Sequence, residues 1–281
     1  MSAPIPRSLI RATDFEVLPV SRVLRRGDGY TVAASPSNPL HYWGNLLLFD
    51  RAPEPGDGAR WEALSEAEFA RQGRVTHRTF AWEGNDGALG SAREEFLARG
   101  YELEQTVGLT ARAGELEAHP RASTAVEVQA LDHRPGADED LWAQVIDIQL
   151  ASRENLVDVE GQRDYQRTRE RDLRELFAAG RGGAWFVARD GAEVVGSCGI
   201  VVTGGRGRYQ AVDTVAGRRG EGICSRLLVD AARIASERDG ARSFVIGADP
   251  GYHALAIYES LGFTPVERVA GVYRPPPEDR A

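Results

Sequence analysis

Arg218-Arg219-Gly220-Glu221-Gly222-Ile223-Cys224-Ser225-Arg226-Leu227-Leu228 is the stretch from which the fold can be read. It follows the alternating run Tyr209 to Val215 and opens a long amphipathic segment, Glu221 to Arg238, so the pattern is strand, glycine turn, helix. Two glycines one residue apart let the backbone turn tightly and approach a ligand closely. The first helical turn after them carries amides with no intrahelical acceptor. The helix dipole adds partial positive charge at the same place, which makes an anion site suited to phosphate or pyrophosphate. The stretch has no Gly-Lys-Ser/Thr to hold a nucleotide triphosphate and magnesium, and it is not the Gly-x-Gly-x-x-Gly turn of a dinucleotide fold.

Downstream, Ala254-Leu255-Ala256-Ile257-Tyr258-Glu259-Ser260-Leu261-Gly262-Phe263 is an apolar-periodic helix closed by Gly-Phe, and Val266 to Tyr273 reads as a strand. Together the segments resemble the GNAT superfamily of acyl-CoA-dependent N-acyltransferases, over roughly residues 124 to 274. In that family Arg-x-x-Gly-x-Gly/Ala binds the CoA pyrophosphate, and an Ala-x-x-Leu-Tyr-x-x-x-Gly-Phe helix lies beside the thioester. Arg219, Gly222 and Cys224 occupy the first motif, with Cys where Gly or Ala is usual. Ala254, Ile257, Tyr258, Gly262 and Phe263 occupy the second, and Gly251 stands where many members carry Asn.

The resemblance implies acetyl-CoA as cosubstrate, held by Thr214, Val215, Arg219, Gly220, Glu221, Gly222, Ile223, Cys224 and Ser225. The strand edge ending near Thr214 and Val215 would pair with the pantetheine arm as an added strand does. It also implies Tyr258 as the proton donor to the departing thiolate, since a phenol of pKa about 10 can protonate a thiolate as it forms. The competing reading is a core tyrosine whose hydroxyl is satisfied locally. Asp213, on the strand beside the thioester position, is the candidate general base acting through water; an ordinary carboxylate at a strand end is the alternative. Glu154, Asp158 and Glu160 fall where the family shapes its acceptor site, and would either meet a cationic amine or form a solvated loop. Cys224 reads as a small residue packed against the loop rather than a reactive thiolate.

Composition sets the outer limits. A chain of 281 residues suggests two domains, with 42% apolar and 27% charged residues as in ordinary globular proteins. No stretch approaches the roughly 18 apolar residues of a membrane span, so no membrane partner is expected. Two cysteines and five histidines without metal spacing indicate neither a disulfide framework nor a metal site, and point to a cytoplasmic protein. The net charge of −8 argues against nucleic acid and is compatible with a cationic substrate. Every basic residue other than histidine is Arg. The chain therefore offers no lysine of its own as an acyl acceptor.

The first half contains a faint copy of the second. Phe96-Leu97-Ala98-Arg99-Gly100-Tyr101 matches Tyr258-Glu259-Ser260-Leu261-Gly262-Phe263 at a constant offset, 262 minus 100 being 162. The first copy lacks the Arg-x-x-Gly-x-Gly loop and has Phe96 in place of the tyrosine. Residues 1–123 are therefore expected to form a degenerate GNAT-like domain and residues 124–281 the acetyl-CoA-binding N-acetyltransferase domain, joined by a linker near 115–124. Each is expected to hold a mixed, mostly antiparallel central sheet flanked by helices, an α/β (α+β) fold. Locally, residues 1–29 mix charges with short apolar runs, Tyr42 to Phe49 reads as a strand, and Trp61 to Gln72 as a helix with a capping box at Ser65 and Glu68.

The expected activity is transfer of an acetyl group to the amine of a small molecule or peptide by direct attack, because no Cys/His or Ser/His constellation is present to form a covalent intermediate. A non-catalytic acyl-CoA-binding sensor or scaffold is the alternative. The reading is compatible with a homodimer.

Overall fold

Val32, Ala34, Leu47 and Phe49 face an aromatic cluster while Ala33, Leu46 and Leu48 face a smaller, mostly aliphatic one with Phe15, Leu18 and Ala81, so the alternation along two short apolar runs buries a sheet on both sides. The structure is a computed structural model, described for residues 5–70, 75–152 and 158–276. Contacts divide the chain into two units, residues 1–108 with 267–281, and residues 109–266.

The first unit runs Leu9–Glu16 (α1), Val23–Arg26 (β1), Tyr30–Ala34 (β2), Leu46–Phe49 (β3), Asp57–Phe69 (α2), Arg78–Trp82 (β4), Arg93–Ala98 (α3) and the greater part of Glu102–Arg112 (β5). The chain's last strand, Thr264–Arg274 (β11), belongs to it from Glu267 onward, and the strand order is β1-β2-β3-β4-β11-β5. β3 and β4 are parallel; the β1/β2, β2/β3 and β4/β11 pairs are antiparallel. Trp61 and Phe69 of α2 and Phe96 of α3 fill one face with Phe80, Trp82 and Tyr101.

Three local expectations change here. Residues 9–16 are helical: Ser8 accepts from the Arg11 N–H (3.2 Å), and the Glu267 carboxylate accepts from the N–H groups of Leu9 (3.1 Å) and Ile10 (2.6 Å), a cap supplied from the far end of the chain. α2 begins after Gly56, at φ 90, so Ser65 is a buried mid-helix residue and no capping box forms; Glu68 instead accepts from the Tyr30 hydroxyl at 2.6 Å. Tyr42–Gly44 is a 3-10 turn, because the Asn45 side chain bonds the Ser35 N–H and the carbonyls of Asn38 and His41, each at 2.9 Å.

The second unit contains Glu127–Ala130 (β6), Glu139–Ala151 (α4), Val159–Ala178 (α5), Gly182–Asp190 (β7), Glu193–Thr203 (β8), Arg206–Thr214 (β9), Ile223–Asp239 (α6), Ser243–Ala248 (β10) and Ala254–Ser260 (α7). Its strand order is β10-β9-β8-β7-β6, antiparallel except for the parallel β9/β10 pair. α6 buries Ile223, Leu227, Leu228, Ala231 and Ala235, a helical stripe packed against β7 and β8. α4 packs on β8 and β9, with Trp142 meeting Trp185 at 6.1 Å between ring centres. Among the described residues no helix is long and apolar enough to cross a membrane.

These units and the halves 1–123 and 124–281 divide the chain differently. Glu267–Arg274 pairs into the first unit's sheet, while the stretch read as a linker is docked on the second: Ala113 N–H donates to Arg242 O (3.0 Å), Glu117 N–H to Leu261 O (3.1 Å) and His119 N–H to Ser225 Oγ (2.9 Å). The internal repeat reappears in the backbone. Tyr101 N–H donates to Phe96 O and Gly100 N–H to Leu97 O, both at 3.0 Å; Phe263 to Tyr258 and Gly262 to Glu259 do the same at 3.1 Å.

Candidate active site

β9 carries an extra residue. Ser197 pairs with Asp213 and Gly199 with Gln210, so Ala211 and Val212 together oppose Cys198, and Ala211 takes φ 39. Such a bulge bends its strand. On the other side, β10 pairs with β9 only as far as Val245↔Arg208, although β10 continues to Ala248. Among the described residues the β9 backbone from Tyr209 to Thr214 therefore has no ladder partner on that side. Val212, Asp213 and Thr214 at the end of β9 border a cavity of about 740 Å³.

The cavity brings together Asp213, Thr214, Arg219, Gly220, Gly222, Ile223, Cys224, Ser225 and Tyr258 of the residues expected from sequence. At its basic end is the turn before α6. The first N–H of this helix with an intrahelical acceptor is that of Arg226, bonded to Gly222 O at 3.2 Å, which leaves those of Ile223, Cys224 and Ser225 as the donors of its N-terminus. The two glycines differ. A Cβ on Gly220 (φ 84) would have no atom within 4 Å, whereas one on Gly222 (φ 76) would lie 2.1 Å from Arg121 O. The close approach that requires Gly222 is thus made by the chain's own backbone, and the open side of the turn is at Gly220.

The two arginines differ as well. Arg218 is paired with Glu221 (2.7 Å) and Asp190 (3.1 Å); the exposed Arg219 side chain has no such partner among the described residues. Three arginines (Arg121, Arg218 and Arg219) and one carboxylate (Asp213) line the cavity. A chain of net charge −8 thus gathers positive charge here, as an anionic ligand requires.

Tyr258 is 5% exposed and borders the cavity with its ring against Phe263, and its hydroxyl has no hydrogen-bond partner among the described residues. Burial above all, with Cys224, Cys198 and Asp213 nearby, raises its pKa, so the phenol stays protonated. Tyr209 makes the contrast: its hydroxyl donates to Leu228 O at 2.7 Å, as a structural tyrosine does. Burial pushes the Cys224 thiol up to about 12, which leaves it neutral and a poor nucleophile.

Other expected residues lie elsewhere. Val215 borders a neighbouring hollow of about 260 Å³ with Asp147 and Glu193, and Glu221 is exposed in its ion pair with Arg218. Asp158 caps α5 by accepting from the Gly161 N–H at 2.8 Å, and neither it nor Glu160 lines the cavity; Glu154 lies outside the described residues. Sequence reading assigned no role to Arg218, His119, Arg121, Ser152, Tyr252 or His253, all of which border the cavity. Tyr252 and His253 adjoin the second motif, and their rings lie 4.0 Å apart. His119 and Arg121 come from an aperiodic stretch with no local signal. Among the described residues no cluster of His, Cys, Asp and Glu is arranged to hold a metal.

Residues 181–265, which span this turn, β9, α6, β10 and α7, match the acetyltransferase (GNAT) domain family. No curated protein matches the chain. Among solved structures, a conserved protein of unknown function from Staphylococcus epidermidis is 14% identical with a TM-score of 0.70, covering 92% of this chain and 96% of its own. A GCN5-related N-acetyltransferase from Kribbella flavida is 14% identical with a TM-score of 0.61, covering 95% and 94%. A tandem GNAT protein from the clavulanic acid biosynthesis pathway is 15% identical with a TM-score of 0.56, covering 96% and 89%. The protein thus carries a GNAT acetyltransferase domain, an acyltransferase module, within a chain that shares its fold with a tandem GNAT protein.

Proposed function

We propose that the second unit is an acetyl-CoA-dependent N-acetyltransferase acting on the amine of a small molecule or peptide, and that the first is a degenerate copy that holds no cosubstrate. The observation that carries this is the β9 edge that has no ladder partner beyond Arg208 among the described residues, whose Val212, Asp213 and Thr214 border one cavity with the turn at Arg219 and with Tyr258. Acetyl-CoA, when bound, supplies a thioester whose carbonyl carbon an amine can attack. The amides of Ile223, Cys224 and Ser225 and the Arg219 guanidinium suit its pyrophosphate. The β9 edge suits the amide-bearing pantetheine arm, as a strand partner would. Asp213 takes the amine's proton through water, and the neutral Tyr258 hydroxyl, having no hydrogen-bond partner among the described residues, donates one to the departing thiolate.

The test is thiol release from acetyl-CoA by the whole chain across a broad panel of amines, together with calorimetric titration with CoA. Binding accompanied by amine-dependent release is expected. CoA binding without release on any amine would favour a sensor, and absence of CoA binding would remove the cavity's assignment.

A further inference from the structure

We propose that the strap Ala113–Ser123 is a working part of the donor site and that Arg121 contacts a phosphate of bound CoA. The inference rests on the assignment of the cavity to acetyl-CoA. The strap touches both glycines that mark the two sequence motifs. A Cβ on Gly222 would stand 2.1 Å from Arg121 O and 2.8 Å from Ser123 N, and one on Gly262 (φ 103) would stand 2.4 Å from Glu115 O. Contacts under 3 Å to backbone leave no room for a side chain, so in this protein both glycines are also dictated by the strap.

The strap is fastened along its length. Beyond the bonds to Arg242, Leu261 and Ser225, Ser123 N–H donates to Gly222 O at 3.2 Å. His119 turns the chain, its Nδ1 accepting from the Arg121 N–H (3.1 Å) and its carbonyl from the Ala122 N–H (2.7 Å). That turn sets Arg121 in the cavity wall, where its exposed guanidinium has no ion pair or hydrogen bond among the described residues.

Charge says what it meets. Arg218 is neutralised by Glu221 and Asp190, which leaves Arg121 and Arg219 as the cavity's arginines without an ion pair among the described residues. One stands three residues before Gly222, and the other has its backbone against it. CoA carries a pyrophosphate and a separate 3′-phosphate ester, more negative charge than Arg219 and the helix amides balance alone. A second guanidinium beside the same turn suits that excess.

The experiment titrates the full-length protein and its Arg121→Ala and Arg121→Lys variants with CoA and with dephospho-CoA, at low and high salt. Arg121→Ala is expected to weaken CoA binding roughly 5-fold or more at low salt, with a smaller loss at high salt and partial retention in Arg121→Lys. Thermal unfolding should be unchanged, because Arg121 takes part in the strap's fastenings only through its backbone N–H. Loss confined to CoA would place the guanidinium on the 3′-phosphate; equal loss for both ligands would place it on the pyrophosphate. Parent-level affinity in Arg121→Ala for both ligands would overturn this inference while leaving the site's assignment standing. A parent protein that binds neither would overturn the assignment itself.

Discussion

In the first unit the turn before α2 is capped by Gly56 at φ 90, and in the second the turn before α6 is capped by Gly222 at φ 76; each helix joins a pair of parallel strands, β3 and β4 or β9 and β10. The first turn is engaged by carboxylates of the chain itself. The Asp57 carboxylate accepts from the Glu54 N–H (2.8 Å), from Arg51 (2.7 Å) and from Arg60 (2.7 Å), while Glu95 accepts from the Gly56 N–H at 2.7 Å. Burial pushes the Asp57 pKa up, but the Arg51 hydrogen bond, the Glu54 amide and the arginine charges outweigh it and hold the carboxyl below its ordinary value. A Cβ would meet open space at Gly56 as at Gly220, but at the second turn the Arg219 side chain has no ion pair or hydrogen bond among the described residues. The strands differ in the same sense. β3 stays paired with β4 to its last residue, Phe49↔Trp82, and Phe49 stacks on Trp61 at 3.7 Å between ring centres, whereas β9 leaves β10 after Arg208. One helix N-terminus thus meets carboxylates of its own chain beside a closed aromatic core. The other remains available to an external anion beside an open cleft.

The sharpest way to break this contrast is to give the second copy the first copy's residue. Tyr258→Phe reproduces Phe96, and a donor that acts only in the transition state should take roughly 10²-fold or more of the turnover with it, while CoA affinity stays nearly unchanged. Thiol release and CoA titration on one preparation distinguish this from a structural tyrosine, whose loss would disturb both modestly. The pH profile adds a signature. Because burial raises the Tyr258 pKa, the phenol keeps its proton above its ordinary value of about 10, so the alkaline side of the profile should show no fall from this group near that pH. A fall there that vanishes in Tyr258→Phe would contradict the buried, neutral donor.

A smaller effect is expected from making the open turn self-filled. Gly220→Asp places a carboxylate where nothing stands within 4 Å, at φ 84, a region Asp and Asn enter more readily than other side chains. It should weaken CoA binding roughly 10-fold or more, about 1.4 kcal/mol, by occupying and repelling as Asp57 does in the first unit. Gly220→Asn carries the same backbone strain without the charge. Equal loss in the two variants would show that shape, not the added anion, is what the turn discriminates.

Much of the second unit was legible because its signals are local. The glycine turn, the alternation of β7 to β9 and the helix ending at Gly262-Phe263 each depend on neighbours in sequence. What escaped reading depends on distant partners. α1 owes its N-terminal cap to Glu267, α2 starts at Gly56 because Asp57 gathers arginines and an amide around itself, and Arg121 enters the cavity only because the strap docks on Gly222 and Ser225. Gly222 shows the limit most clearly. Its need for positive φ was readable, but the backbone that prohibits its side chain lies about a hundred residues upstream, at Arg121. The aspartate at position 158 illustrates the converse, a charged residue in a suggestive place that is engaged as a helix cap.

The smallest expected effect is none. The first unit's deficits are several, so repairing one should not create a second site. Phe96→Tyr adds a hydroxyl to a fully buried ring that packs against Trp61, Phe80 and Tyr101 with centroids 5.7, 6.2 and 5.2 Å away. With no acceptor provided it should cost on the order of 1–3 kcal/mol of stability and confer no binding. Asp57→Ala removes one carboxylate from the α2 turn, yet Glu95 still accepts from Gly56, and β3 and β4 are still zipped to Phe49 and Trp82. Calorimetry should therefore give one CoA per chain for the parent and for both variants. Two per chain in the parent would end the reading of the first unit as a degenerate copy. Two only in Asp57→Ala would show that the copy keeps a competent anion site held shut by a single side chain, and that the closed pairing of β3 with β4 is no barrier to the ligand.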